Sequence, residues 1–165
     1  MDTNNTEQVT PKGQMNKVEA ILDQYERAIG LPIFQENQED SDVQRYISMD
    51  RNSMEKLTLE DCAIAALALG GYSFYLQRAL NRENARVNWA STLLKKLVAG
   101  KESQYNGSWD SQYHQVIKND DYMTGILLIQ QYAQQRANRV TYLATSIKNM
   151  SDLYVNLQKA KVMKG

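Results

Sequence analysis

The chain has 165 residues, and its 19 Lys and Arg balance 19 Asp and Glu, so a zero formal net charge argues against a surface that coats nucleic acid indiscriminately. One cysteine permits no internal disulfide, and one cysteine with one histidine cannot build a zinc site of the usual N/S kind. No apolar run approaches the roughly 20 residues needed to cross a bilayer, and Met1-Asp2-Thr3-Asn4-Asn5 lacks the basic start and apolar stretch of a signal peptide, so a cytoplasmic protein without membrane contact is expected.

Pro11 and Pro32 are the only prolines, which leaves residues 33–165 free to form long helices. Residues 1–13 are polar and read as a disordered tail. Residues 14–55 read as an acidic helical arm. Within it Met15, Val18, Ile21, Leu22, Tyr25 and Ile29 recur at helical spacing, and Gly30 stands where a C-terminal cap belongs. Residues 31–34 are expected to be extended because Pro32 disfavours the α region before it, residues 35–42 form an acidic linker, and a short helix follows over 43–49.

Residues 56–165 read as a basic hairpin of two long helices. Thr58 followed by Asp61 resembles a capping box and marks the first helix start. From there Cys62, Ala66, Leu69, Ser73, Leu76, Leu80, Glu83, Val87, Ala90, Leu94 and Leu97 step by four and three without a slip, as a helix packing along a partner requires. Gly70 and Gly71 lie inside it and imply a close backbone approach or a bend. The helix ends near Gly100. A loop over 101–110 carries the turn signal Asn106-Gly107, and Asp110 is expected to cap a second helix running from about Ser111 to Lys159. Its seam is Val140, Leu143, Ile147, Met150, Tyr154 and Leu157, continued less regularly upstream by Val116, Met123, Leu127 and Tyr132. The fold class is therefore all-α, a long antiparallel coiled-coil-like hairpin with a smaller N-terminal helix, and self-association into a homo-oligomer is expected.

The zero net charge conceals a split. Residues 1–60 hold twelve acids and six bases, whereas residues 61–165 hold seven acids and thirteen bases. Arg78, Arg82 and Arg86 at i, i+4, i+8 form one stripe, with Lys95, Lys96 and Lys101 continuing toward the loop and Arg136, Arg139 and Lys148 on the second helix. Lys159, Lys161 and Lys164 make a basic tail. Guanidinium groups at one-turn spacing suit successive phosphates, while the other reading is a solvated helix face whose stems cover apolar surface. The acidic arm also has the charge to fold onto this face.

Tyr105, Trp109 and Tyr113 cluster beside Lys101 and suit stacking of unpaired bases. The competing expectation makes Trp109 a plug in the open end of the hairpin core, with Trp89 and Phe74 as packing residues. Gln130, Gln131, Gln134 and Gln135 form a polar helix face or an inter-subunit hydrogen-bonding surface. Catalytic chemistry finds little to stand on. Gly100-Lys101-Glu102-Ser103 lacks the earlier glycine of a phosphate loop and follows a helix rather than a strand. Glu60-Asp61 and Asp120-Asp121 are adjacent and so diverge on a helix, His114 stands alone, and Cys62 sits on the apolar seam. Neither an enzyme nor a metal or cofactor is expected.

Three stretches resemble the phage UvsY-type recombination mediator family. Tyr72-Ser73-Phe74-Tyr75-Leu76 is similar to a Tyr-Ser-x-aromatic-Leu stretch in the first long helix of that family, Gly125-Ile126-Leu127-Leu128 to a Gly-Ile-Leu-Leu stretch in the second, and Ile147-Lys148-Asn149-Met150 to an Ile-Lys segment near the C-terminus. The resemblance covers residues 62–160. It implies an all-helical, ring-forming protein of the host-cell cytoplasm that binds single-stranded DNA and helps load a recombinase onto strands covered by a single-strand-binding protein. Position by position it supports Lys148 as a DNA contact and is silent on Arg78, Arg82 and Arg86. The alternative is a phage scaffold or adaptor acting through coiled-coil oligomerisation, with the arginines paired to acids of the arm.

Overall fold

The computed structural model describes residues 10–30 and 40–163; the expected tail residues 1–9, the extended segment 31–34, the start of the acidic linker and Lys164 lie outside them. Every regular element among the described residues is helical: α1 Pro11–Ala28, α2 Asp40–Ile47, α3 Arg51–Lys56, α4 Leu59–Val98, a 3-10 turn Glu102–Gln104, α5 Trp109–Lys118, α6 Asp121–Val140 and α7 Leu143–Val162. None of these helices is long and apolar enough to cross a membrane.

Local chemistry explains where the elements start and stop. Thr10 Oγ1 accepts from the Gly13 amide at 3.1 Å and Pro11 occupies the first turn, so α1 begins inside the segment read as a tail. At the start of α4 the Thr58 amide donates to Asp61 Oδ2 at 2.9 Å while the Asp61 amide donates to Thr58 Oγ1 at 3.0 Å, a reciprocal capping box with Asp in place of Glu. Gly30 and Gly100 close α1 and α4 at φ of 67° and 83°, the left-handed conformation that favours glycine.

The second long helix differs from the expectation: it is three helices. Asp120 Oδ1 accepts from the Met123 amide at 3.0 Å, and Thr124 Oγ1 donates to the Ile117 carbonyl at 3.0 Å, so side chains satisfy the backbone groups freed between α5 and α6. Between α6 and α7, Thr141 Oγ1 takes the Ala137 carbonyl at 2.7 Å and Ser146 Oγ takes that of Tyr142 at 2.8 Å, local bonds of the kind that bend helices. Ser108, not Asp110, caps α5, its Oγ accepting from the Ser111 amide at 3.3 Å.

The chain forms two compact units, and the division falls within α4 and near the end of α6. One unit holds residues 40–82 and 136–163. Its core is Tyr46, Ala65, Leu69, Leu76, Ala144, Ile147 and Tyr154. Ser151 Oγ donates to the Ala66 carbonyl at 2.7 Å and Gln158 Nε2 to that of Leu59 at 3.1 Å, so α7 returns antiparallel along the first half of α4. Gly70 lies at this crossing, where an added Cβ would meet Ser151 Oγ at 3.5 Å, whereas Gly71 faces open space. Ser73, the polar break in the seam, is buried and donates to the Gly70 carbonyl at 2.8 Å. Tyr154 donates to the Tyr46 carbonyl at 2.8 Å and ties down α2.

The other unit holds residues 10–30 and 83–135. Its core is Ala90, Leu94, Val98, Val116, Ile117, Met123 and Ile126, with Trp89 packed against it as expected. Gln130 Nε2 donates to Ser91 Oγ at 2.7 Å, so α6 runs antiparallel to the second half of α4. No residue of α1 is fully buried. Pro11 sits over Gly125 of α6, where an added Cβ would come within 3.0 Å of Pro11 Cγ, and the Tyr122 hydroxyl donates to Gln14 Oε1 at 2.7 Å.

Candidate nucleic-acid interface

The candidate side chains divide between the units. Arg86, Lys95, Lys96, Lys101, Tyr105 and Trp109 belong to the unit that contains α5, and Arg78, Arg82, Arg136, Arg139 and Lys148 to the unit that contains α7. The arginines of α4 are not a fully solvated stripe: Arg78, Arg82 and Arg86 are all half-buried. Arg86 is committed within the chain. Its Nε and Nη2 meet Glu19 Oε1 of α1, and its Nη1 meets Glu83 Oε1 one turn back. The seam position of Glu83 is thereby explained, since a carboxylate buried to 12 % side-chain exposure is paired there with a guanidinium. The acidic arm supplies the second carboxylate through Glu19. Arg136, Arg139 and Lys148 are exposed.

The exposed cations and aromatics of the other unit gather around the loop between α4 and α5. Lys95 and Lys96 occupy the last turn of α4, where positive charge complements the helix dipole, and both are exposed together with Lys101. Trp109, expected as a plug of the core, is instead 58 % exposed. It stacks on Tyr113, one turn later, with ring centroids 5.1 Å apart and planes 23° apart. A one-turn spacing places both rings on the same face of α5. Tyr113 is half-buried, and burial pushes its hydroxyl pKa up, so the platform stays uncharged at neutral pH. His114 meets the Tyr113 ring edge-on at 5.6 Å.

Tyr105 is held more firmly than a loop residue need be. Its carbonyl accepts from Gln112 Nε2 at 2.7 Å and its hydroxyl from Asn119 Nδ2 at 3.0 Å. Tyr105 and Lys101 line a shallow cleft of about 130 Å³ together with Gln104, Asn119, Asp120 and Met123. Gln112 and Asn119 escaped the sequence reading because a seven- or fourteen-residue separation across a turn leaves no periodic signal. The segment also carries Glu102 and Asp110, so its charge is mixed with a basic excess. Stacked rings open to solvent, in a segment that also carries exposed lysines, suit an unpaired base and its phosphates.

Two further aromatic and polar expectations resolve here. Phe74, expected to pack, is 62 % exposed. In the glutamine belt Gln130 bonds Ser91 within its unit, while Gln131, Gln134 and Gln135 are exposed. Cys62 is fully buried on the seam, and burial pushes its thiol pKa up, which marks an unreactive core residue. Among the described residues no cluster of three His, Cys, Asp or Glu is placed to hold a metal ion. No protein-family model matches the chain, and no curated protein or solved structure is significantly similar to it.

Proposed function

We propose that the protein binds single-stranded nucleic acid as a non-enzymatic accessory factor of the recombination-mediator kind, with single-stranded DNA, a recombinase and a single-strand-binding protein as its partners. The observation that carries this reading is the exposed Trp109–Tyr113 stack on a loop end that also displays Lys95, Lys96 and Lys101. Stacking on a solvent-facing indole contributes about 1–3 kcal/mol per base and is indifferent to sequence. Lysines beside it neutralise phosphates and make binding fall with salt. Arg86 is already engaged by carboxylates and is not part of this reading.

Fluorescence anisotropy of a labelled single-stranded oligonucleotide, titrated at low and at physiological salt, tests the reading. Trp109→Ala should weaken binding about 5- to 160-fold, the equivalent of one lost stack. Replacing Lys95, Lys96 and Lys101 together by Gln should lower the slope of log affinity against log salt by about 2, from about 0.7 per phosphate contact. Binding that is absent at low salt, or unmoved by both variants, removes the reading.

A structural or assembly role is the second reading, and the Glu19–Arg86 pair favours it, because there the arginines serve the fold by pairing with the acidic arm. It expects both variants to leave self-association intact with no nucleic-acid binding to lose.

A further inference from the structure

The first half of α4 carries two apolar seams, not one. The buried seam runs through Cys62, Ala65, Leu69, Ser73, Leu76 and Leu80, with Ala66 partly buried beside it. Two residues before Cys62, Leu69, Ser73, Leu76 and Leu80 stand Glu60, Leu67, Gly71, Phe74 and Arg78, which together with Ile64 step by four and three. A two-residue shift is about 200° around a helix, so this second seam lies opposite the first. It faces outward: Leu67 is 79 % exposed, Phe74 62 % and Ile64 about half, and nothing lies within 4 Å of the position a Gly71 Cβ would take. Heptad spacing of large apolar side chains on a solvent face is the pattern of a coiled-coil seam.

The order of residues along the seam identifies that partner. The sequence of steps reads the same in both directions about residue 69. In an antiparallel pair of identical helices centred there, Glu60 of one chain faces Arg78 of the other, Ile64 faces Phe74, and Leu67 faces Gly71. Acid meets base, two apolar side chains of medium and large size share a layer, and the most exposed leucine enters the space left by a glycine. A parallel pairing would set Glu60 against Glu60 and Arg78 against Arg78, which repel. The match is self-complementary, as a two-fold interface between identical surfaces requires.

From this pattern we infer that the outer face of α4, from Glu60 to Arg78, is the docking surface for a second copy of the chain, in an antiparallel dimer whose two-fold axis passes beside residue 69. The surface is independent of the Trp109 platform, and its test involves no nucleic acid.

Cysteine pairing on the full-length protein reads the register directly. Cys62 is buried and stays out of the reaction. Ile64→Cys protein mixed with a size-tagged Phe74→Cys protein should form mixed disulfide dimers under mild oxidation. Each variant alone should cross-link poorly, because like positions lie about 15 Å apart along the axis at 1.5 Å per residue. Sedimentation velocity should show a dimer for the native chain and a monomer for Leu67→Arg, with the helical circular dichroism of that exposed-site variant unchanged. A native chain that remains monomeric at all concentrations overturns the inference. So does Ile64→Cys cross-linking with itself as readily as with Phe74→Cys, the signature of a parallel or ring arrangement.

Discussion

Glu19 on α1 receives both Nε and Nη2 of Arg86 on α4, 67 residues further along the chain, while Nη1 of the same guanidinium goes to Glu83. One cation is thus shared by two carboxylates that would otherwise repel at close range, with side-chain exposures of only 23 %, 26 % and 12 % for Arg86, Glu19 and Glu83. Arg86→Ala should therefore destabilise the fold by about 2 kcal/mol, less than a fully buried pair because water still reaches the group. Glu19→Gln should cost less, since Glu83 keeps its partner. Chemical denaturation of the two variants checks the order. The same geometry predicts that Arg86→Ala changes oligonucleotide affinity less than the loss of Lys95, Lys96 and Lys101.

The helical glycines separate into two kinds. A methyl group at Gly71 meets nothing within 4 Å, so Gly71→Ala should raise stability by about 1 kcal/mol, or roughly 2–4 °C in melting temperature, through helix propensity alone. The measurement belongs at a protein concentration below self-association. At Gly125 the same methyl comes within 3.0 Å of Pro11 Cγ, so Gly125→Ala should gain less or lose stability as α1 is pushed aside. Adding Pro11→Ala to Gly125→Ala should recover the difference. Equal gains at Gly71 and Gly125 would mean that Pro11 does not press on α6.

Much of this architecture was legible in the residues, and the failures have physical causes. The capping pair Thr58/Asp61, the terminal Gly100 and the seam from Cys62 to Leu97 are local or periodic signals, and α4 follows them except that it buries Ala65 and Val98 more deeply than Ala66 and Leu97 and leaves Val87 partly exposed. The interruptions between α5, α6 and α7 were not legible, because no proline or glycine marks them. They depend on Asp120, Thr124 and Thr141 turning back to bond their own backbone, as the same residue types decline to do in many helices. Trp109 could be read two ways because an apolar ring at a helix start suits a core as well as an exposed stack, and the structure leaves it 58 % exposed against the Tyr113 ring. Glu83 looked like a flaw in the seam because its salt bridge is completed by a residue from α1, and no short-range pattern encodes that.

Tyr154 is the lock on α2. Its hydroxyl satisfies the Tyr46 carbonyl in the last turn of α2, a group with no partner inside its own helix, and the two rings meet edge-on at 5.9 Å. Tyr154→Phe keeps the ring and removes the bond, so it should cost about 1–2 kcal/mol. Hydrogen exchange should show the loss concentrated in residues 43–49, with α5 and α6 unaffected. Loss of protection spread evenly over both units would contradict a local role.

Acid should act on the helix starts before it acts on the cores. The hydroxyl and then the amide of Thr58 hold the Asp61 carboxyl below its ordinary value of 3.8, and the Ser53 amide does the same for Asp50 at the start of α3. A carboxylate whose folded value is depressed contributes stability that is complete above the ordinary value and is lost as pH falls through the lower, folded one. The native chain should thus hold its melting temperature from neutrality to about pH 4.5 and lose it below, in the range where such carboxyls protonate. Asp61→Asn should melt lower than the native chain at pH 7, and the two curves should draw together as acid protonates the native carboxyl. A gap between them that stays constant down to pH 2 would mean that Asp61 supports α4 through its shape and not through its charge.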